Sequence, residues 1–254
     1  MRGFTAFLRK EFAETVRTWR IWVLPGIMLF FGVLGPVSAA LTPALLESVA
    51  KSQPGVIISI PPPTWVDSYA QWVKNLSQLG AFAVLIIAAG VIANERRSGT
   101  AVLVLTKPLS RAGFVIAKFL SLLALLAFSV FVGAAATWAL TLGIFGEAPV
   151  ARLAAVSGVW LASGAFIVGV MTLVSALLPS QVAAAGVGLG VFAITGIASL
   201  WEPLQRYSPF GLGNALAPLL QGKPTHLGWP LVTTVLALVV LVGLAAAVFR
   251  RAEL

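Results

Sequence analysis

Long apolar stretches separated by short polar ones dominate the chain. A spanning helix needs about 20 mostly apolar residues to cross roughly 30 Å of hydrocarbon. Six stretches meet that length: Ile21–Leu45, Leu76–Asn94, Phe114–Phe145, Leu153–Leu178, Val182–Leu200 and Trp229–Phe249. None has a charged residue near its centre, and Lys118 lies near one end of the third. The pattern predicts an all-α integral membrane protein with six transmembrane helices, residues 1–254 forming one domain.

Other segments show helical spacing without the length to span. Within residues 1–20, Phe4, Phe7, Leu8, Phe12, Val16 and Trp19 recur every three or four positions, while Arg2, Arg9, Lys10, Arg17 and Arg20 fall on the other side. A short basic amphipathic helix with aromatics on its apolar face lies in the membrane interface. The competing reading is a secretory signal, since Ser38-Ala39-Ala40 follows an apolar run. The charged region is too extended, and the apolar run too long and proline-interrupted, to fit one well.

Residues 46–75 contain Pro61-Pro62-Pro63, which breaks any helix. After it, Trp65, Val66, Tyr69, Trp72, Val73 and Leu76 form a stripe opposite Asp67, Gln71, Lys74 and Asn75. This predicts a short helix on the outer surface that turns into the second span. Residues 201–228 are rich in proline and glycine, and apolar Leu212–Leu220 within them is too short to cross. A short outer re-entrant or interfacial helix is expected there.

Composition supports the membrane reading. Charged residues make up 10% of the chain and hydrophobic residues 59%, against roughly 25% charged in a soluble domain. The net charge of +9 is read through its placement, as topology and not as nucleic-acid binding. Of the 17 Lys and Arg, five lie in residues 1–20, five in the connection between the second and third stretches, and two at the C-terminus. Positive residues mark the cytoplasmic side, so both termini are expected in the cytoplasm and the chain in the inner membrane.

The chain holds little catalytic material. It has no cysteine, one histidine (His226) and eight acidic residues. Gly222-Lys223 is followed by Pro224, and Ala217 stands where a phosphate loop needs its first glycine. The Gly186-Val187-Gly188-Leu189-Gly190 run lies inside an apolar span, where the Gly186/Gly190 spacing suits close helix packing. No enzyme activity and no cofactor on this chain are expected.

The most informative polar stretch runs from Asn94 to Arg111, and includes Glu95, Arg96, Arg97, Ser98, Gly99, Thr100, Val102, Leu103, Leu105, Lys107 and Pro108. Ser98 or Thr100 can N-cap a short helix that Pro108 must end. Helices so short are marginal in water and need a surface to dock on. Anionic headgroups are one such surface and a partner protein another. Glu95 is expected to pair with a basic residue of a partner, or locally with Arg96 or Arg97.

The order of these elements resembles the permease subunits of type-2 ABC exporters. It runs amphipathic N-terminal helix, two spans, Glu-x-x-x-Gly-Thr, a short apolar helix, Lys-Pro-Leu-Ser-Arg, Lys118 and a further span. The resemblance implies that Glu95, Gly99, Thr100 and the apolar residues after them form a coupling helix seated in a groove of an ATPase subunit. It implies an elbow role for the N-terminal helix, and for Ser208-Pro209-Phe210 the start of the outer re-entrant helices. A second ATPase contact would fall at Ser180 and Gln181, although Leu178-Pro179-Ser180-Gln181 is very short and uncharged. It also implies a dimer of identical or homologous permeases in lipid, with two cytoplasmic ATPase subunits that bind the ATP and Mg. A route between copies walled by apolar residues suits a hydrophobic or amphiphilic cargo. A secondary transporter would need titratable residues at mid-membrane, and a non-transporting scaffold would use the Glu95–Arg111 stretch only for docking.

The basic asymmetry predicts the outcome of cysteine labelling in this cysteine-free chain. With an impermeant thiol reagent on intact cells, a cysteine at Ser59 labels and one at Ser98 does not. The reverse pattern would invert the topology.

Overall fold

The computed structural model describes residues 2–52, 61–100 and 109–251, and every element among them is helical. In chain order these are α1 (Arg2–Arg17), α2 (Arg20–Ser52), α3 (Trp65–Asn75), a π-helical turn (Leu76–Gly80), α4 (Ala81–Ala89) and α5 (Ala93–Arg97). There follow α6 (Arg111–Phe145), α7 (Val150–Leu177), α8 (Gln181–Ala198), α9 (Glu202–Tyr207), a 3-10 turn (Pro209–Gly211), α10 (Leu212–Leu220) and α11 (Gly228–Arg251). Six helical runs are long and apolar enough to cross a membrane: α2, the continuous run Trp65–Arg97, α6, α7, α8 and α11. They coincide with the six predicted stretches and extend most of them. The fold is that of an all-α membrane protein.

Local chemistry sets several helix ends. The backbone N–H of Thr64 donates to Asp67 Oδ2 at 2.8 Å, satisfying a donor ahead of α3. Ser110 Oγ accepts from Gly113 N at 3.0 Å and opens α6, while Ser180 Oγ accepts from Ala183 N at 3.2 Å and opens α8. Gly146 ends α6 with φ +74°, the left-handed conformation that favours glycine.

The centre of the bundle is the crossing of α2 and α6. A Cβ on Gly32 would lie 2.3 Å from the Gly133 carbonyl oxygen. One on Gly133 would lie 2.4 Å from Trp72 Cη2 and 2.6 Å from the Met28 carbonyl oxygen. Only glycine at both positions lets the two backbones approach so closely, the usual device where helices pack in lipid. Pro25, Pro36 and Pro43 all lie inside α2 without ending it. Membrane helices tolerate such prolines because neighbouring groups satisfy the freed carbonyls.

The stripe of α3 fills the space beside that crossing. Ser68, Tyr69 and Trp72 are buried. Trp72 Nε1 donates to Ser157 Oγ at 3.1 Å, and the hydroxyls of Ser68 and Thr141 share a 2.6 Å hydrogen bond. This corrects the expectation of a helix on the outer surface. The stripe packs on α2 and α6, and the π-helical turn carries α3 into α4 without a break. Amphipathic spacing alone does not distinguish a headgroup layer from the flank of a helix bundle.

Outside this core, α7 packs on α6, α4 and α11. The expected short outer helix is α10, whose Leu212, Leu216 and Leu220 are buried, and it packs against α7. Arg152 of α7 donates to the Leu219 carbonyl at 3.3 Å, capping the end of α10. Two spans, α8 and α11, are thinly packed. On α8 only Ala184 and Gly188 are buried, and Gly186 and Gly190 meet nothing within 4 Å.

The α2–α6 crossing yields a test. Gly133→Ala overpacks a backbone contact and should cost about 1–3 kcal/mol. Gly143→Ala, on the same helix with nothing within 4 Å, should cost far less. Thermal unfolding of the two variants in detergent measures the difference. Equal midpoints would show that the helices separate there at little expense.

Candidate functional site

The ends of several helices meet where the chain is most basic. Phe7 of α1 stacks on Phe114 of α6 at 5.5 Å between ring centroids, and Phe114 stacks on Phe249 of α11 at 5.0 Å. Arg111 donates to the Arg250 carbonyl at 3.0 Å. These contacts place α1, the start of α6 and the end of α11 at one end of the bundle, together with α5 and its Arg96 and Arg97.

On α1, Phe7 is buried, Phe4 and Leu8 are half-buried, and Arg9 and Lys10 are exposed. The predicted apolar face is not a single face. Phe12, Val16 and Trp19 are 39%, 61% and 56% exposed, because the stripe winds around the helix past the side that meets α6. At the next turn of the buried side stands Glu11, a carboxylate only 3% exposed. Sequence reasoning missed it. The available signal was an acidic residue four positions beyond Phe7 and three beyond Leu8, on their side of the helix.

Glu11 is paired inside the bundle. Lys118 Nζ, on α6 and 2% exposed, lies 2.6 Å from Glu11 Oε2 and also hydrogen-bonds Glu95 Oε1 of α5. The expected local pairing of Glu95 with Arg96 or Arg97 is therefore corrected: its observed partner within the chain is Lys118. A buried carboxylate needs a partner more than an exposed one does, and Lys118 is the cation that helix packing brings inside. Glu95 Oε2 is buried without a hydrogen-bond partner. At the periphery Lys10 bridges Glu11, at 3.0 Å, and Glu14. Burial alone would raise the Glu14 pKa, but its hydrogen bond to Lys10 and the charges of Lys118, Lys10 and Arg20 hold it below the ordinary carboxylate value. Carboxylate oxygens of Glu11, Glu14 and Glu95 lie within 4.8 Å of one another, a hard-oxygen set suited to a cation. The ammonium of Lys118 supplies that charge.

Around Glu95 the backbone is held from several sides. Ser175 Oγ of α7 accepts from the N–H groups of Ile92 (3.1 Å) and Ala93 (3.0 Å). Arg96 donates to the Ala176 carbonyl at 2.9 Å, and Arg97 is exposed. Asn94 donates to Gln181 Oε1 at 2.9 Å, and Gln181 donates to the Ile86 carbonyl at 3.3 Å. The predicted second contact at Ser180 and Gln181 is thus joined to the first through side chains. Gly90 permits this, since a Cβ there would lie 2.4 Å from Asn94 Nδ2. Gly99 follows with φ +72°, ending the turn after α5. Ser98 is the C-cap of α5, and its hydroxyl hydrogen-bonds that of Thr100. Val102, Leu103 and Leu105 lie outside the described residues.

A second feature lies deeper in the bundle. Between α4, α7, α8 and the 3-10 turn is a cleft of about 200 Å³, lined by Trp160, Phe166, Phe192 and Phe210 with Ser77 and Asn214 among them.

A family model described as "ABC-2 family transporter protein" matches residues 5–202. The chain belongs to the ABC-2 transporter family. It is also similar to an uncharacterized transmembrane protein, YxlG, of Bacillus subtilis (strain 168), 27% identical over 258 residues, with 100% of this chain and 99% of the relative covered. The protein is a multi-pass membrane protein and a permease component of an ABC transporter. Permeases of this family are transport components that partner ABC ATPase subunits and are not themselves catalytic.

The buried ion group has a measurable consequence. Removing one partner of a buried pair leaves an uncompensated charge, typically at a cost of about 3–5 kcal/mol. Lys118→Met should destabilise the purified protein to that degree. Lys10→Met, at a side chain 45% exposed, should cost under about 1 kcal/mol. Similar unfolding midpoints for the two would contradict the assignment.

Proposed function

We propose that this chain is the transmembrane subunit of an ATP-driven exporter in the cytoplasmic membrane. Both termini and α5 face the cytoplasm in this reading, and the coupling segment is 95–111. The carrying observation is the buried ion group at α5: Lys118 grips Glu95 from inside the bundle, so the chain that leaves at Gly99 starts from a fixed point. Glu95, Arg96, Arg97, Gly99 and Thr100 form the root of the joint, and Val102, Leu103 and Leu105 supply its apolar contact with an ATPase groove. Ser180 and Gln181 brace that root. ATP and Mg bind the separate ATPase, whose closure drives the permease through this segment.

The same reading assigns a dimer, identical or mixed. Its support is the unpacked face of α8, where Gly186 and Gly190 meet nothing while Ile194 and Ile197 are 63% and 70% exposed. Phe12 and Val16 of α1, with Trp19 just beyond it, then rest in the headgroup region of the bilayer. The apolar cleft and the apolar spans favour a hydrophobic or amphiphilic cargo.

Docking Val102, Leu103 and Leu105 would remove about 200–300 Å² of apolar surface, on the order of 5–8 kcal/mol gross before ordering costs. Leu103→Asp would bury an unpaired charge in the joint and should abolish copurification of the ATPase. Glu95→Ala should leave assembly largely intact but weaken the coupling of hydrolysis to transport. Lys51→Ala and Lys223→Ala, on the outer side, should do neither. If Leu103→Asp inserts normally, retains the ATPase at wild-type yield and transports, the coupling assignment is wrong.

A further inference from the structure

Lys118 joins three elements that are distant in sequence. A single carboxylate would balance its charge, yet it contacts two, Glu95 from α5 and Glu11 from α1. All three side chains are largely or wholly buried. Buried charge groups are weak evidence for stability, since apolar residues of similar size often serve as well. What such a group does supply is geometry, because each charge must find its partner in a medium that solvates none of them. An ammonium is a compact charge with three donors, able to hold two carboxylates in fixed directions.

We infer that Glu11 is a positioning residue: through Lys118 it fixes where Glu95, and with it the chain beyond Gly99, stands relative to α1. The two carboxylates have a common anchor on α6, a 35-residue helix packed against α2, α7 and α11. The stack of Phe7 on Phe114 holds α1 against the same stretch of α6, within one turn of Lys118. On its other side α1 presents Phe12 and Val16 outward, and Trp19 in the turn after it is exposed as well. The coupling segment is therefore referenced to the interfacial helix as well as to the spans, and a thrust on it reaches α1 through two ion contacts. The mechanical part of this inference rests on the coupling role proposed for residues 95–111. The positional part does not.

The absence of cysteine allows a test on the full chain in lipid nanodiscs. Spin labels are placed at Ala6 on α1 and Arg97 on α5, both exposed, with a control pair at Gly158 on α7 and Gly243 on α11. Glu11→Gln keeps a hydrogen bond from the Lys118 ammonium but removes the opposing charge that directs it, so the Ala6–Arg97 distance distribution should broaden beyond its wild-type width. The control pair should stay as it was. Glu14→Gln, one turn away and paired with Lys10 at the surface, should widen neither distribution. An unchanged Ala6–Arg97 width, or equal widening of the control pair, would overturn the inference, the second because it marks general loosening. Hydrolysis by the copurifying ATPase, measured with and without the permease, supplies the other arm. If Glu11→Gln widens the distribution yet leaves the permease-dependent change in hydrolysis intact, the positioning role stands and the coupling role of residues 95–111 falls.

Discussion

Within the bundle, two backbones touch where α2 crosses α6, and much of the architecture follows from that contact. Helices in lipid gain little from hiding apolar side chains from one another, because the surrounding chains are equally apolar. They gain from close packing, and Gly32 and Gly133 permit the closest approach available. That approach forms the wall against which Trp72 lies, and Trp72 carries α3 into the core. The polar atoms that α3 brings with it then need partners. Ser157 of α7 and Thr141 of α6 meet two of them, which ties a third long helix to the crossing.

The charged end is organised on a different principle. Aromatic stacking of Phe7, Phe114 and Phe249 gathers three helix ends without regard to charge. Within that apolar setting, Lys118, Glu95 and Glu11 have few alternatives to one another. Stacking sets the distance between elements and the ion contacts set their direction. The turn after α5 is held similarly, with Ser175, Ala176 and Gln181 each receiving or giving a hydrogen bond. The short connection between α7 and α8 keeps Gln181, the first residue of α8, near Ser175 and Ala176 at the end of α7.

What could be read from the residues depended on the range of the interaction. The six spans were legible because a run of apolar residues is a local property, and α10 was legible with its ends for the same reason. The stripe of α3 was legible as a stripe, but what it packs against was not, since a headgroup layer and a neighbouring helix ask for the same spacing. Glu95 was recognised as a site residue and given the wrong neighbours. Arg96 and Arg97 are adjacent in sequence, whereas Lys118 is 23 positions away and reaches Glu95 only once α6 has packed. Glu11 was the hardest case. Its position among Phe4, Phe7 and Leu8 marked it as inward-facing, but only the fold shows that a cation waits there.

The π-helical turn at Leu76–Gly80 has a consequence for the whole second span. Trp72, Leu76, Gly80, Val84 and Ala88 are all buried and lie four residues apart. In an α-helix, each four-residue step overshoots a full turn by about 40°, so this row would drift well around the helix by Ala88. A π turn holds more residues per revolution and takes up part of that drift. The wide spacing and the π turn therefore explain each other, the turn acting as a phase correction that lets Trp72 near one end and Ala88 near the other address the same interior. One residue of chain length is converted there into helix rotation.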